Sequence, residues 1–94
     1  MKLQISNKAA AWYKEELNLT NKSYLRFFVR YGFGGIQPGF SLGVGTSEPF
    51  DPIVTYEKNN IIFYIESADS WYFDGHDLKI EYDEKLLEPA FLYV

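Results

Sequence analysis

The chain contains no cysteine. Without thiolates it cannot form a disulfide, a Cys-ligated zinc site or an iron–sulfur cluster held by its own side chains. Histidine is almost absent too, with His76 the single imidazole. Basic residues are few: nine Lys and Arg stand against thirteen Asp and Glu, for a formal net charge of −4. They are scattered and form no stripe that could neutralise a phosphate backbone, which argues against a nucleic-acid partner. No apolar run approaches the roughly 18 residues of a membrane-spanning helix. Met1 to Ile5 lacks the apolar stretch of a secretory leader, so a cytoplasmic location is expected. Repeats, low-complexity tracts and linkers are missing as well, and residues 1–94 are expected to form one domain.

Aromatic side chains are what the chain has in excess: eight Tyr, eight Phe and two Trp. A domain of this size buries only about 60% of its unfolded surface, and each aromatic brings on the order of 150–250 Å². All eighteen are hard to hide. Either some line a pocket or an exposed patch for a ligand or another subunit, or several Tyr lie flat on a sheet with wet hydroxyls.

Local patterns divide the chain. Ser6 is a good N-cap, with Ile5 placed to staple onto Ala10. Lys8 to Leu17 reads as a helix with Ala9, Trp12, Tyr13 and Leu17 toward one side. From Tyr24 the period becomes two, with Leu25, Phe27 and Val29 on one face and Arg26, Phe28 and Arg30 on the other. Gly32-Phe33-Gly34-Gly35 and Pro38-Gly39 interrupt this strand. Phe40, Leu42 and Val44 start a second strand, and Ile53 to Tyr56 a short one. Glu57 to Asn60 is a hairpin connection, and Ile61 to Ile65 is an apolar, central strand with Trp12 expected to pack on its sheet. Glu66 to Phe73 fits either a turn or a short helix carrying Ala68, Trp71 and Tyr72. Asp74-Gly75 marks a turn. Leu78, Ile80 and Tyr82 alternate as a strand, and Phe91 to Val94 is a short strand or tail. The order predicts an α+β domain dominated by antiparallel sheet.

Three segments in this order carry a family resemblance: Leu25-Arg26-Phe27-Phe28-Val29-Arg30, Gly32-Phe33-Gly34-Gly35-Ile36, and Phe73-Asp74-Gly75-His76-Asp77-Leu78. With the helix that opens after Leu3-Gln4-Ile5-Ser6, they resemble the HesB/IscA family, the A-type carriers of iron–sulfur cluster assembly. The resemblance runs over nearly the whole chain. It implies a compact sandwich of mixed β-sheets with an N-terminal helix and a short helix near residues 66–73. It also implies three cysteine ligands, all missing. The first would stand at Phe33, and the chain stops at Val94 before the C-terminal Cys-Gly-Cys-Gly segment. The pattern is similar to the cysteine-less, YneR-like branch of HesB-like proteins.

Other chemistry has thin support. The glycines at 32–35 are not followed by the Gly-Lys-Ser/Thr of a phosphate loop, and Gly43-x-Gly45 lacks the third glycine of a dinucleotide fingerprint. His76 with Asp74, Asp77, Glu66 and Asp69 could hold a mononuclear hard or borderline cation, or the turn and its carboxylates could be merely solvated. No acid/base pair or triad can be read from order alone. Arg26 and Arg30, flanking Phe28 on one face, could clamp an acidic partner with a guanidinium over the ring; a solvated sheet face is the simpler reading. Phe33 is either an exposed anchor or a loop aromatic folded onto the core. The expectation is a non-enzymatic interaction protein without a cofactor, using Arg26, Phe28, Arg30 and Phe33 to meet a protein partner or to self-associate weakly. A metal or small-molecule binder built on His76 is the alternative.

Overall fold

A computed structural model describes residues 1–94. The elements are β1 (Leu3–Ile5), α1 (Asn7–Glu16), β2 (Ser23–Tyr31), β3 (Phe40–Gly45), β4 (Pro52–Lys58), β5 (Ile61–Glu66), a 3-10 helix (Ser67–Phe73), β6 (Leu78–Asp83) and β7 (Glu88–Tyr93). They form the expected α+β sandwich of two mixed sheets. The larger has the strand order β3-β2-β5-β4, and the smaller β1-β6-β7. No helix is long and apolar enough to cross a membrane.

Helix α1 starts where its cap predicts. The Ser6 hydroxyl accepts a hydrogen bond from the Ala9 amide at 3.1 Å, satisfying one of the free N–H groups of the first turn. Ala9, Ala10 and Tyr13 face the core. Leu17 is a correction: it is the C-cap and lies exposed, because the helix ends one residue before it.

The apolar row of β2 finds its mates across the sheet. Leu25 pairs with Phe63 on the parallel neighbour β5, while Phe27 and Val29 pair with Val44 and Leu42 on the antiparallel β3. Strand β5 is interior, as its apolar run requires. Asn59 and Asn60 turn the β4–β5 hairpin with φ of 58° and 61°, a left-handed pair that asparagine tolerates better than most residues. The core joins Leu25, Phe27, Ile61, Phe63 and Ile65 to Leu3, Ile5, Leu78 and Ile80 of the smaller sheet. Phe27 and Phe63 stack at 6.0 Å, and Tyr13 and Phe91 meet Phe27 edge-on at 5.9 Å each. Val29 and Trp12 pack against this core but stay half-buried.

Two elements were not expected. Residues 3–5 form a strand, pairing in parallel with β6 so that Leu3 lies beside Leu78 and Ile5 beside Ile80. The chain after β3 must also cross the whole larger sheet to reach β4 at its opposite edge. Residues 46–51 do this over the outer face. Tyr64 donates to the Ser47 carbonyl at 2.6 Å, and the buried Glu66 carboxylate accepts the amides of Phe50 at 2.7 Å and Asp51 at 2.9 Å. Tyr64 and Glu66, outward in β5, are thereby buried.

Candidate functional site

The site forms at the end of β2, where the chain enters the glycine-rich loop. Gly32 donates to the Gly39 carbonyl at 3.1 Å and closes the loop's base. Gly35 is held against the 3-10 helix, where a Cβ would come within 2.2 Å of both the Phe40 carbonyl and the Tyr72 hydroxyl. Only glycine allows that approach. The Tyr72 hydroxyl accepts from the Ile36 amide at 3.2 Å and shares a hydrogen bond with the Tyr93 hydroxyl at 2.9 Å. Gln37 adds a bond to the Tyr72 carbonyl at 3.3 Å. Burial, together with the bond to Tyr72, holds the Tyr93 phenol well above its ordinary pKa, so it stays a neutral hydrogen-bonding group.

With its second half pinned, the loop carries Phe33 outward, 98% exposed. Phe33 is therefore not folded onto the core. Beside it Tyr31 is 86% exposed and stacks on Phe40 at 5.4 Å; Trp71, 53% exposed, meets Phe40 edge-on at 5.1 Å. A 3-10 helix repeats every three residues. Asp69 and Tyr72 thus turn inward while Ala68 and Trp71 turn out.

The four expected surface residues do not act together. Arg30 is exposed, forms no ion pair, and shares a shallow cavity of about 270 Å³ with Phe33 and Tyr93. Phe28 is half-buried and lies over Gly43, whose added Cβ would meet the ring at 2.8 Å. Arg26 is withdrawn. Its guanidinium bonds Asp69 at 2.8 Å and sits 5.9 Å from the Phe28 ring centre, so the expected cation–π contact forms, but the charge is neutralised within the chain. The arginine clamp is therefore reduced to Arg30.

The carboxylate–imidazole set does not assemble either, and no group of three or more His, Asp or Glu is placed to hold a metal ion. Glu66 serves the crossover loop and Asp69 serves Arg26. Asp77 accepts the Lys2 amide at 2.7 Å. Asp74 ends the 3-10 helix in the left-handed region, and His76 Nδ1 lies 2.9 Å from the Phe73 carbonyl oxygen.

Tyr31 and Trp71 were missed. Tyr31 continues the inward row of Leu25, Phe27 and Val29, so periodicity places it inside; it lies exposed at the end of β2, its ring stacked on Phe40 and outside the core. A three-residue period imposed on residues 67–73 would have turned Trp71 outward.

This architecture is that of the A-type iron–sulfur carriers, without their thiolates. It matches IscA with its 2Fe–2S cluster at a TM-score of 0.56, with 16% identity, over 98% of this chain and 80% of that one. It matches Escherichia coli SufA, involved in biosynthesis of iron–sulfur clusters, at 0.59 and 16%, over 100% and 85%. In sequence it is 49% identical over 94 residues to the pyruvate dehydrogenase inhibitor of Bacillus subtilis (strain 168), covering 99% of each chain. An uncharacterized protein of Staphylococcus saprophyticus is 35% identical over 96 residues, covering 97% of each. No family model matches the chain. The chain belongs to the family of the Bacillus pyruvate dehydrogenase inhibitor, and it has the HesB-like fold of the carriers without any cysteine of its own.

Proposed function

We propose that this chain is a cytoplasmic, non-enzymatic binding protein that inhibits pyruvate dehydrogenase by docking its aromatic end onto the enzyme. The observation that carries the reading is Phe33, held almost fully exposed on a pinned loop and flanked by exposed Tyr31 and Trp71. Aromatic anchors set on a rigid support are the side chains that dominate protein–protein contacts. Arg30, unpaired and next to Phe33, adds a charge for an acidic group on the target. The choice of target rests on the Bacillus relative, whose likeness spans almost the full length of both chains.

The test is the rate of a purified bacterial pyruvate dehydrogenase complex titrated with the protein. Inhibition is expected to saturate. Phe33→Ala and Trp71→Ala remove exposed side chains and leave the fold intact, and each is expected to raise the half-inhibitory concentration about tenfold or more. A wild-type protein without effect sinks the reading. Undiminished inhibition by both variants moves the contact away from this surface.

A further inference from the structure

Strand β3 is an edge of the larger sheet. A cleft of about 370 Å³ opens beside it, walled by Trp12 from α1, Leu42 and Val44 from β3, and Phe91 from β7. That volume lies at the small end of ligand pockets and suits one small molecule. Its apolar walls ask for an apolar ligand body. Tyr13, Arg30 and Glu88 bring polar groups to the same lining, and these decide what else the ligand must carry.

Tyr13 is 3% exposed, yet its hydroxyl has no hydrogen-bond partner within the chain. It is not sealed in, because Arg26 Nε is the one side-chain polar atom that is both sealed and unpaired. The hydroxyl therefore reaches the cleft that Tyr13 lines. A core polar group left without a partner calls for a reason. Arg30 and Glu88 carry opposite charges and are both exposed, and neither is ion-paired with the other or with any other side chain. Burial, and then the charge of Glu88, hold the Tyr13 phenol in its neutral form, so Glu88 lies close enough to act on it. Gly43 lets Arg30 reach the cleft from the outer face of β2. A Cβ there would come within 3.1 Å of Arg30 Cδ; without one, the arginine stem lies across β3.

We propose that this cleft binds a free apolar α-amino acid of the leucine or phenylalanine type. Arg30 pairs with the α-carboxylate, to which it can present two parallel N–H donors. Glu88 accepts from the α-ammonium, and the apolar side chain lies among Trp12, Leu42, Val44 and Phe91. The Tyr13 hydroxyl, donor and acceptor both, gains from the ligand's polar end the partner that the chain does not supply. Charge selects the class. A simple carboxylate would leave Glu88 unpaired and be repelled by it, and a simple amine would meet Arg30 in the same way. A zwitterion with an apolar side chain satisfies both. Solvent screens the two exposed charges, so the affinity is modest, with a Kd of about 1 mM. Arg30 also borders Phe33, but this inference does not depend on the inhibitor reading and is tested without the enzyme.

The probes are L-leucine and L-phenylalanine, with isocaproate and isoamylamine as leucine analogues lacking the ammonium and the carboxylate respectively. Amide NMR of the full chain, titrated to about 10 mM ligand, should show saturable shifts at Tyr13, Val44 and Glu88 with at least one amino acid. Each analogue should bind at least about tenfold more weakly than leucine. Arg30→Ala and Glu88→Gln change exposed side chains, and each should weaken amino-acid binding about tenfold. Tyr13→Phe keeps the ring in the core and should weaken it about threefold. No saturable shift with either amino acid overturns the proposal. An analogue that binds as tightly as leucine also overturns it, as does undiminished binding by the Arg30 and Glu88 variants. Shifts confined to Phe33 and Trp71 overturn it too, and assign the ligand to the aromatic end. If the variants fail to fold, the wild-type analogue series decides alone.

Discussion

Phe63 and Val29 illustrate how burial sets the energetic weight of one side chain. Both belong to strand rows that periodicity assigns to the interior. Phe63 is fully buried and stacked on Phe27, whereas Val29 stays half-buried near the end of β2. Phe63→Ala leaves a cavity between the sheets and should cost about 3–5 kcal/mol. Val29→Ala removes only partly buried atoms and should cost about 1 kcal/mol. Urea midpoints at unchanged slope would give both values; equal costs would mean that the core extends beneath Val29. Charged residues follow the same logic with less forewarning. Arg26 and Arg30 are alike by pattern, and only Arg26 meets a carboxylate, from a residue 43 positions away.

At the scale of elements, local chemistry is decisive where the signal is short-range. The Ser6 cap acts on an amide three residues on, and α1 begins immediately after it. Ser6→Ala should lower stability by about 1 kcal/mol, while Ser6→Asp should preserve it. Thermal unfolding of the two variants would separate cap loss from a general effect of substitution at residue 6. Strands β2 and β5 were equally legible, since alternation and a central apolar run are properties of a few neighbouring residues. Strand β1 was not. Three residues cannot establish a period, and Leu3 and Ile5 become a strand only because β6, some 75 positions later, pairs with them. The 3-10 helix was half legible: its position could be read, but the inward turn of Asp69 and outward turn of Trp71 depend on its tighter winding.

For the whole molecule, the two shifted phenols set the alkaline limit. Burial, with the Glu88 charge nearby, pushes the Tyr13 pKa far up, and burial with the Tyr72 bond does the same to Tyr93. The folded state then holds these protons more tightly than the unfolded chain, whose tyrosines titrate near 10. Their contribution to stability is complete below about pH 10 and is lost as the pH rises beyond it. Denaturant midpoints should be unaffected by these groups between about pH 7 and 9 and fall at about pH 11. Tyr13→Phe should flatten part of that fall; an unchanged alkaline slope would show that Tyr13 is not the group concerned.

Composition and short-range pattern exclude cluster ligation for this protein and define the class of its fold. Ligand type is a property of composition, so a chain without thiolates is excluded from cluster ligation before it folds. Alternation, caps and turn residues act over a few positions, and they placed most strands, the helix and the apolar rows. The tertiary structure alone decided which of those apolar and charged groups remain available. Tyr31 is exposed and Phe27 buried on the same row, Phe27 meeting Tyr13, Phe63 and Phe91 while Tyr31 stacks on Phe40 outside the core. Glu66 and Asp69 are taken up by a crossover loop and by Arg26, which leaves His76 without companions, and β3 is an open edge because of strand order. Exposure and pairing depend on residues far apart in the chain, and only the folded arrangement brings them together.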